Sequence, residues 1–367
     1  MTFNKVQGGI SLFQYVMFIS QVQIGVGMMT LPTDLAEVAG TDGWISILLG
    51  WIAAIVISLV IVRIMSRQPA ETIYDLFFRY LGRGLGACAV LLFILYCLFV
   101  FTIAILVKIH ITQTWVLPQT PNFFLMLLFM IPILMLVHFG VNILVRYVEF
   151  VGLGTIVIIP LFFIAMKGGH LIHLLPVLKE GWLPVFQGVK TTVLSFLGFE
   201  LAFILYPLLR QKNKAAKGII IANTITMCMQ MLVVITCYIQ FNPYQILTYI
   251  WPTLDLFETV EFPFVERIEV IFTAFYLFLI STSGIPYLYT AIAGIERLFG
   301  DSIREKAMLV LGLGYIVSAF IYNPTFYQVN QMQKWGGNIG MFVAYLFPIA
   351  FWLYAGVVDR IRRWDKT

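Results

Sequence analysis

The stretch Gln23-Ile24-Gly25-Val26-Gly27-Met28-Met29-Thr30 interrupts the first hydrophobic segment of the chain near its middle. The segment from Ile10 to Pro32 is otherwise long and apolar enough to cross a bilayer. Two glycines one residue apart disfavour a helix, because each costs about 1 kcal/mol relative to alanine. Backbone N–H and C=O groups freed at membrane depth are tolerated only where they face protein or a water-filled cavity. The break therefore predicts a binding site for a small molecule or an ion.

The composition of the whole chain is typical of a polytopic membrane protein. Of its 367 residues, 60% are hydrophobic and 11% are charged, whereas soluble domains carry about 25% charged residues. The four cysteines lie in apolar runs, so we predict that they are buried. His170 and His173 lack a third ligand nearby, so we predict no metal site. The sequence contains no nucleophile–base pair and no phosphate-binding loop, so we predict that the protein is not an enzyme.

Windows of about 20 apolar residues predict ten transmembrane helices. Their approximate bounds are 10–33, 43–65, 86–109, 122–140, 144–166, 187–209, 216–240, 264–296, 306–323 and 337–358. We therefore predict an all-α membrane domain that occupies residues 1–367, with the first span retained in the protein.

The basic residues predict how these helices are oriented. If the N-terminus is cytoplasmic, 17 of the 23 Lys and Arg residues fall in cytoplasmic segments and six fall outside. Positive charge concentrates on the cytoplasmic side of membrane proteins, so we predict that both termini are cytoplasmic. The net charge of +5 then reflects membrane orientation, and we predict no nucleic-acid partner.

Two loops contain short amphipathic stretches. Residues 69–81 place Ile73, Leu76, Phe77 and Tyr80 at helical spacing, which predicts a helix on the cytoplasmic interface. Residues 251–263 are acidic and partly apolar, and we predict an extracytoplasmic helix over an outer vestibule. Ordinary connecting structure is the alternative for both stretches.

The ten predicted spans divide into two halves of five, residues 10–166 and 187–358. An odd number of spans inverts the second half relative to the first, as in transporters whose paired discontinuous helices form a site at the membrane midplane. The first helix of the second half should then also be broken. It contains Ser195-Phe196-Leu197-Gly198-Phe199-Glu200 near mid-span, and Gly198 follows Gly25 by 173 residues.

Glu200 is the most informative single residue in this second break. A charge at the bilayer centre costs at least about 2.5 kcal/mol, so the side chain should face a cavity, form a pair or be protonated. Contact with a ligand amine, a proton-responsive switch and satisfaction of the backbone freed at Gly198 all remain open. Glu149 and Glu296 lie near span ends beside Arg146 and Arg297, and we predict interfacial ion pairs for them.

Two further spans carry candidate site residues at similar depth. The eighth contains Ser281-Thr282-Ser283-Gly284-Ile285-Pro286, whose hydroxyls can line a cavity, coordinate a cation or bond back to the preceding turn. The third contains Phe99, Phe101 and Thr102, which are candidates for a ligand wall or for ordinary helix packing.

Three stretches carry a resemblance to a known family: QIGVGMMTLPTDLAEVAGTDGWISILLG at 23–50, SFLGFELAFILYPLL at 195–209 and YIWPTLDLFETVEFPFVERIEVIF at 249–272. Together they resemble the spore germination permeases, which are the B subunits of nutrient germinant receptors and are similar to the amino acid–polyamine–organocation transporters. The resemblance implies a five-plus-five inverted-repeat fold with discontinuous helices 1 and 6, in the inner membrane of a spore.

The resemblance also implies the ligand-binding residues. The first break would hold a ligand carboxylate at Gly25, Val26 and Gly27, on a half-helix that starts near Met28. The second break would offer carbonyls to an amine. The full set of expected site residues is Gly25, Val26, Gly27, Met28, Phe101, Thr102, Leu197, Gly198, Phe199, Glu200, Thr282 and Ser283.

The leading functional hypothesis is therefore a nutrient-sensing receptor subunit that binds a small nutrient of the L-amino acid class. The resemblance implies companion A and C subunits and no cofactor. The alternative is an amino acid permease coupled to H⁺ or Na⁺. Residues 151–160 contain no basic side chain for proton coupling, whereas Thr282 and Ser283 resemble a sodium site. A scaffold without any ligand is the third hypothesis.

Overall fold

In the computed structural model, residues 9–25, 27–259 and 267–364 are described, with side chains described as far as residue 361. These parts of the chain are helical, and one parallel backbone bridge joins Ile10 to Leu209. The helices are α1 (Leu12–Ile24), α2 (Leu31–Ala39), α3 (Gly43–Arg67), α4 (Ile73–Trp115), α5 (Asn122–His138), α6 (Val141–Ala165), α7 (Trp182–Phe196), α8 (Ala202–Leu205), α9 (Ala215–Gln240), α10 (Pro252–Glu258), α11 (Ile268–Phe299), α12 (Arg304–Ile321), α13 (Phe326–Gly340) and α14 (Phe347–Trp364).

Within the described ranges, six helical stretches are long and apolar enough to cross a membrane, and the bent pair Trp182–Phe196 and Phe199–Leu208 adds a seventh. The helices α1 and α5 are shorter and also apolar. This is the architecture of a multi-pass membrane protein. Each of the ten apolar stretches predicted from the sequence overlaps one or more of these helices.

The core of the bundle is formed by α1, α4, α9 and α11. The most extensive contact between two elements is between α4 and α11, while α1 packs mainly on α9, α6 and α11. At the α4–α11 crossing a side chain at Gly294 would lie 2.6 Å from a carbon of Ile94. The absence of a side chain there lets the two long helices approach closely.

The predicted interfacial helix forms the first turns of α4. A capping box of Thr72 and Asp75 starts it, and Gly82, at φ 77° and ψ −175°, separates it from the rest of α4. Its apolar residues are buried against protein, where the Phe77 ring contacts Phe93 and two rings of α14. The amphipathic face predicted for the membrane interface therefore covers the protein core instead.

The last predicted span differs from its predicted bounds. Helix begins at Phe326, where Thr325 and Gln328 form a capping box, and a π-helical stretch Met341–Leu346 joins α13 to α14. The predicted start at 337 was late because α13 is a polar amphipathic helix, which a search for apolar windows overlooks. The predicted loop helix at 251–263 is observed as α10, Pro252–Glu258, and residues 260–266 lie outside the described chain.

Two expectations for charged residues and cysteines need correction. Glu296 forms an ion pair with Arg304 at 3.0 Å, while Arg297 pairs with Asp75 at 2.8 Å. Adjacent residues of a helix point in different directions, so Glu296 and Arg297 are poorly placed to pair with each other. Glu149 accepts a hydrogen bond from Gln14 at 3.0 Å. Cys97 and Cys237 are buried as predicted, but Cys88 and Cys228 lie on exposed helix faces.

Candidate functional site

The first break lies between the end of α1 at Ile24 and the start of α2 at Leu31. The second half-helix therefore begins three residues later than the predicted start near Met28. The N–H of Leu31 donates to the carbonyl of Gly27 at 3.1 Å, and Pro32 occupies the first turn. Proline is favoured there because its fixed φ suits a helix start and its missing N–H needs no partner. Val26, one of the predicted ligand residues, lies outside the described residues.

The two glycines of the first break allow two other helices to approach its backbone. A β-carbon on Gly25 would lie 1.9 Å from the Ser283 hydroxyl oxygen of α11. One on Gly27 would lie 2.1 Å from the Ser195 hydroxyl oxygen of α7. Both distances are far shorter than a van der Waals contact, so the break is in close contact with both helices.

The second break has the predicted position. The helix α7 ends at Phe196, Leu197 is extended, and Gly198 has φ 130° and ψ −26°, which is unfavourable for any residue with a side chain. The two flanking segments bend by 49° relative to each other. A β-carbon on Gly198 would lie 2.7 Å from Val22 of α1. The two breaks therefore lie side by side.

Buried amide side chains satisfy carbonyls at the end of α7. Gln23 of α1 donates to the Phe196 carbonyl at 2.9 Å and to the Asn223 side chain at 2.8 Å. Gln230 of α9 donates to the Ser195 carbonyl at 2.6 Å. Unpaired carbonyls are costly in an apolar interior, so these amides stabilise the break.

Glu200 lies beside the second break and is fully buried. Its Oε2 accepts a hydrogen bond from the Gly198 N–H at 2.8 Å. Its Oε1 accepts from the Tyr96 hydroxyl of α4 at 2.7 Å and from the Tyr287 hydroxyl of α11 at 2.5 Å. Of the alternatives for Glu200, this geometry is that of a side chain that satisfies the backbone freed at Gly198.

Thr282 and Ser283 connect α11 to the last turn of α1. Thr282 donates to Leu279 at 2.7 Å and also lies 3.3 Å from the Gln21 carbonyl, while Ser283 donates to the Val22 carbonyl at 2.6 Å. The hydroxyl of Tyr276, on the same helix, donates to the Gly25 carbonyl. Hydroxyl and carbonyl oxygens thus converge at the α1–α11 contact.

Of the other predicted site residues, Phe101, Phe199 and Met28 lie near the breaks, whereas Thr102 points elsewhere. The Phe101 ring lies 3.4 Å from the position of a β-carbon on Gly284 of α11. Thr102 instead bonds the Tyr315 hydroxyl of α12 at 2.7 Å, away from the α1–α11 contact. Phe199 is buried and meets the Tyr345 ring edge-on. The carbonyl of Met28 accepts a hydrogen bond from Thr253 of α10 at 3.1 Å.

Several residues of the site were missed from the sequence. They are Gln23, Tyr96, Asn223, Gln230, Thr253, Tyr276, Tyr287 and Thr226, whose hydroxyl donates to the Gln23 amide oxygen at 2.7 Å, and all of them are buried. The amides among them carried a usable signal, because polar side chains inside membrane spans usually face the bundle interior. The tyrosines carried none, since only the fold determines which tyrosine hydroxyls reach Glu200 or the Gly25 carbonyl.

The fold and the site define an all-helical, multi-pass membrane protein with two interrupted helices that meet. Comparison with known proteins identifies the family: residues 9–327 match the family model described as "Spore germination protein", and the chain belongs to this family. It is 25% identical to spore germination protein GerQB of Bacillus cereus over 96% of this chain and 98% of that protein. It is 26% identical to spore germination protein YndE of Bacillus subtilis, over 92% and 93% of the two chains. Identity to spore germination protein A2 of Bacillus subtilis is 25%, over 94% of each.

Proposed function

We propose that the protein is the nutrient-sensing membrane subunit of a germinant receptor. It would bind a small nutrient of the L-amino acid class between the two helix breaks. The observation that carries this proposal is the direct contact of the breaks, in which Gln23 bonds the Phe196 carbonyl and Gly27 lies against Ser195. Irregular backbone at membrane depth is typical of binding sites in transporter folds. The family and the named relatives support the link to germination.

The finer architecture proposed is a bundle of ten transmembrane helices in two inverted repeats, residues 10–166 and 187–358. The spacing of the breaks supports this arrangement, because Gly25 and Gly198 are 173 residues apart and each lies in the break of the first helix of its proposed half. Both termini would be cytoplasmic, in the inner membrane of the spore. The distribution of Lys and Arg supports this orientation.

The nutrient would act by favouring one arrangement of the broken helices. A ligand shifts an equilibrium between two states only by its difference in affinity for them. The ligand-contacting groups would be the backbone of Gly25, Gly27 and Met28, together with Leu197 and Phe199. Glu200 would hold the second break in shape from its position between α4 and α11. The output would pass to companion A and C subunits.

An amino acid permease coupled to Na⁺ is the second candidate. The convergence of Thr282, Ser283 and the carbonyls of Gln21 and Val22 favours it, because hydroxyl and carbonyl oxygens are suitable ligands for a hard cation. The two candidates are separated by uptake of a labelled amino acid into proteoliposomes that contain the full chain. Concentrative uptake driven by a Na⁺ gradient would support the permease, and saturable binding without accumulation would support the receptor.

The receptor proposal is tested by a germination screen on spores that lack this chain. Each of the 20 proteinogenic amino acids and a set of sugars is supplied singly, and germination is followed as the loss of optical density. Loss of the response to one nutrient, with other responses intact, is the expected result. Spores that respond normally to every nutrient would contradict the proposal.

A further inference from the structure

A buried lysine lies in the membrane-spanning part of α4. Lys108 is only 8% exposed, and it lines a small cavity between α4, α5 and α11 together with Phe101 and Ala104, which precede it on α4 by one to two turns. Lysines near the end of a span usually extend toward the aqueous interface. The Lys108 side chain instead faces the interior of the bundle, and ionisable side chains that do so mark ion or proton pathways.

The ammonium group of Lys108 is stabilised by an aromatic ring and not by a carboxylate. Its nitrogen lies 4.2 Å from the centre of the Phe129 ring of α5, and the face of such a ring attracts a cation. Neither an ion-pair partner nor a hydrogen-bond acceptor for it is found in the described parts of the chain. An ammonium group carries three donors, so these donors are available to a species in the cavity.

The surroundings of Lys108 contain no second charged side chain among the residues that the structure describes. The neighbouring helices contribute Phe129 and Ile133 of α5 and Ile280, Ser281, Gly284 and Ile285 of α11. Two tyrosines are joined to this region by hydrogen bonds, Tyr147 of α6 to Ser281 and Tyr315 of α12 to Thr102. A proton on Lys108 is therefore not shared with a carboxylate or a histidine.

The cavity suits a proton and a water molecule better than an anion. Its volume is about 10 Å³, which is enough for about one water molecule. Ser281 in its wall donates its hydroxyl hydrogen to the Phe278 carbonyl at 2.5 Å, so the Tyr147 hydroxyl donates to Ser281. One lone pair of the Ser281 oxygen is left for a water that also bonds Lys108. An anion would be larger than this space and would find a single donor group.

Ser281 connects this cavity to the first helix break. It directly precedes Thr282 and Ser283, whose hydroxyl oxygens lie 3.3 and 2.6 Å from the carbonyls of Gln21 and Val22 in the last turn of α1. A change of charge at Lys108 therefore acts on the segment of α11 that contacts α1 beside the break.

We infer that Lys108 is a proton-binding site whose occupancy is linked to nutrient binding at the helix breaks. In the exchange step, the ammonium group gives one proton to water in the cavity and becomes a neutral amine, and the reverse step takes a proton back from water. The nutrient and the proton each change the affinity for the other by the same factor. The inference rests on the proposed function, because it requires a nutrient at the breaks.

The proton site is tested with Lys108→Met, which removes the charge and keeps an unbranched side chain whose thioether packs well on the Phe129 ring. Lys217→Met is the matched control, because Lys217 is exposed on α9. Unfolding temperatures of the purified full chains are measured in detergent from pH 6 to pH 9. We expect the difference between Lys108→Met and the wild type to change by about 2 °C or more over this range. The difference for Lys217→Met should be constant, and a constant difference for Lys108→Met would overturn the proton site.

The link to the nutrient is measured on spores over the same pH range, with the nutrient that the germination screen identifies. The half-maximal concentration for wild-type and Lys217→Met spores should change with pH, by at most about tenfold per unit for one linked proton. Lys108→Met spores should give the same value at every pH. A Lys108→Met profile identical to that of the wild type, or a wild-type profile that is flat, would overturn the inference and leave the receptor proposal intact. Deletion spores that respond normally to every nutrient would instead remove the receptor proposal itself.

Discussion

A buried carboxylate that accepts three hydrogen bonds holds the second break in place. The donors to Glu200 come from the backbone of the break and from tyrosines on two other helices, α4 and α11. This one side chain therefore connects the break to the longest helix pair of the bundle, and any change in it should affect the stability of the whole site.

Glu200→Gln should lower the free energy of unfolding by about 1–3 kcal/mol, because an amide has one acceptor oxygen where the carboxyl group has two and cannot accept from Gly198 and from both tyrosine hydroxyls as Glu200 does. The measurement is thermal unfolding of the purified full chain in detergent. Glu180→Gln, at an exposed position in the loop before α7, is the control and should change stability by less than about 0.5 kcal/mol. Equal stability of Glu200→Gln and the control would show that these three bonds are not needed.

Gly25→Ala tests the close contact at the first break. Its β-carbon would overlap the Ser283 hydroxyl, and overpacking of this kind costs about 1–3 kcal/mol. Ser283→Gly in the same chain should restore part of the loss, since it removes the overlapping atoms. Gly84→Ala, where no atom lies within 4 Å of the new carbon, is the control. Failure of Ser283→Gly to restore any stability would refute the overlap as the cause.

At the scale of elements, α10 covers the first break. Thr253 is the third residue of the Trp-Pro-Thr sequence and bonds the Met28 carbonyl. Thr33 of α2 bonds the carbonyls of Ile246 and Tyr249 in the loop that leads to α10. The loop and its short helix are therefore attached to the break itself and to the helix α2 that follows it, and they are positioned to respond when α2 moves.

The sequence was sufficient to predict that these elements exist, but it did not reveal their partners. Apolar length and the glycines Gly25 and Gly198 predicted both interrupted helices. The start of α2 at Leu31 was predicted too early, near Met28. That prediction placed the helix directly after Gly27 and did not use Pro32, a residue that favours the first turn of a helix. The partners of Glu200 and Met28 could not be predicted, since residues about 90 to 225 positions apart meet only through the folded chain.

Thr253→Val tests the attachment of α10. The change keeps the shape of the side chain and leaves the Met28 carbonyl without its donor, which should cost about 1–3 kcal/mol. Thr248→Val is the control, because Thr248 is exposed and bonds only within its own turn. The readout is thermal unfolding together with protease sensitivity of the 242–259 segment. A segment that remains as protected as in the wild type would contradict the role of Thr253.

The pH dependence of α10 follows from Asp255. Burial, and secondarily the negative charge of Glu258, raise the pKa of Asp255 to about 6. Because the folded pKa exceeds the unfolded value of about 4, the stability contributed by this group is fully present below pH 4 and is lost as the pH rises through about 6. Asp255→Asn should therefore raise the unfolding temperature relative to wild type at pH 8 and leave it unchanged at pH 4. A gain of the same size at both pH values would contradict this assignment.

At the scale of the whole molecule, contacts of α1 with segments nearly 200 or more residues further along the chain hold the protein together. The backbone of Ile10 pairs with Leu208 and Arg210 at one end, at 2.8 and 3.1 Å. Gln23 joins the breaks in the middle of the bundle, and α11 closes against α1 through Ser283. Under the proposed function, a ligand that enters between the breaks would displace some of these contacts and so allow α1 to move relative to α7 and α11.

The most direct test of the central claim is the nutrient dose–response of spores that carry Gly25→Ala, with Gly84→Ala spores as control. The amount of the protein in the spore membrane is measured alongside by immunoblotting. If a nutrient binds at the breaks, Gly25→Ala spores with normal protein levels will need at least tenfold more nutrient or will not respond, and partial recovery will follow Ser283→Gly. Gly25→Ala spores that contain normal protein and germinate like the wild type would contradict the claim.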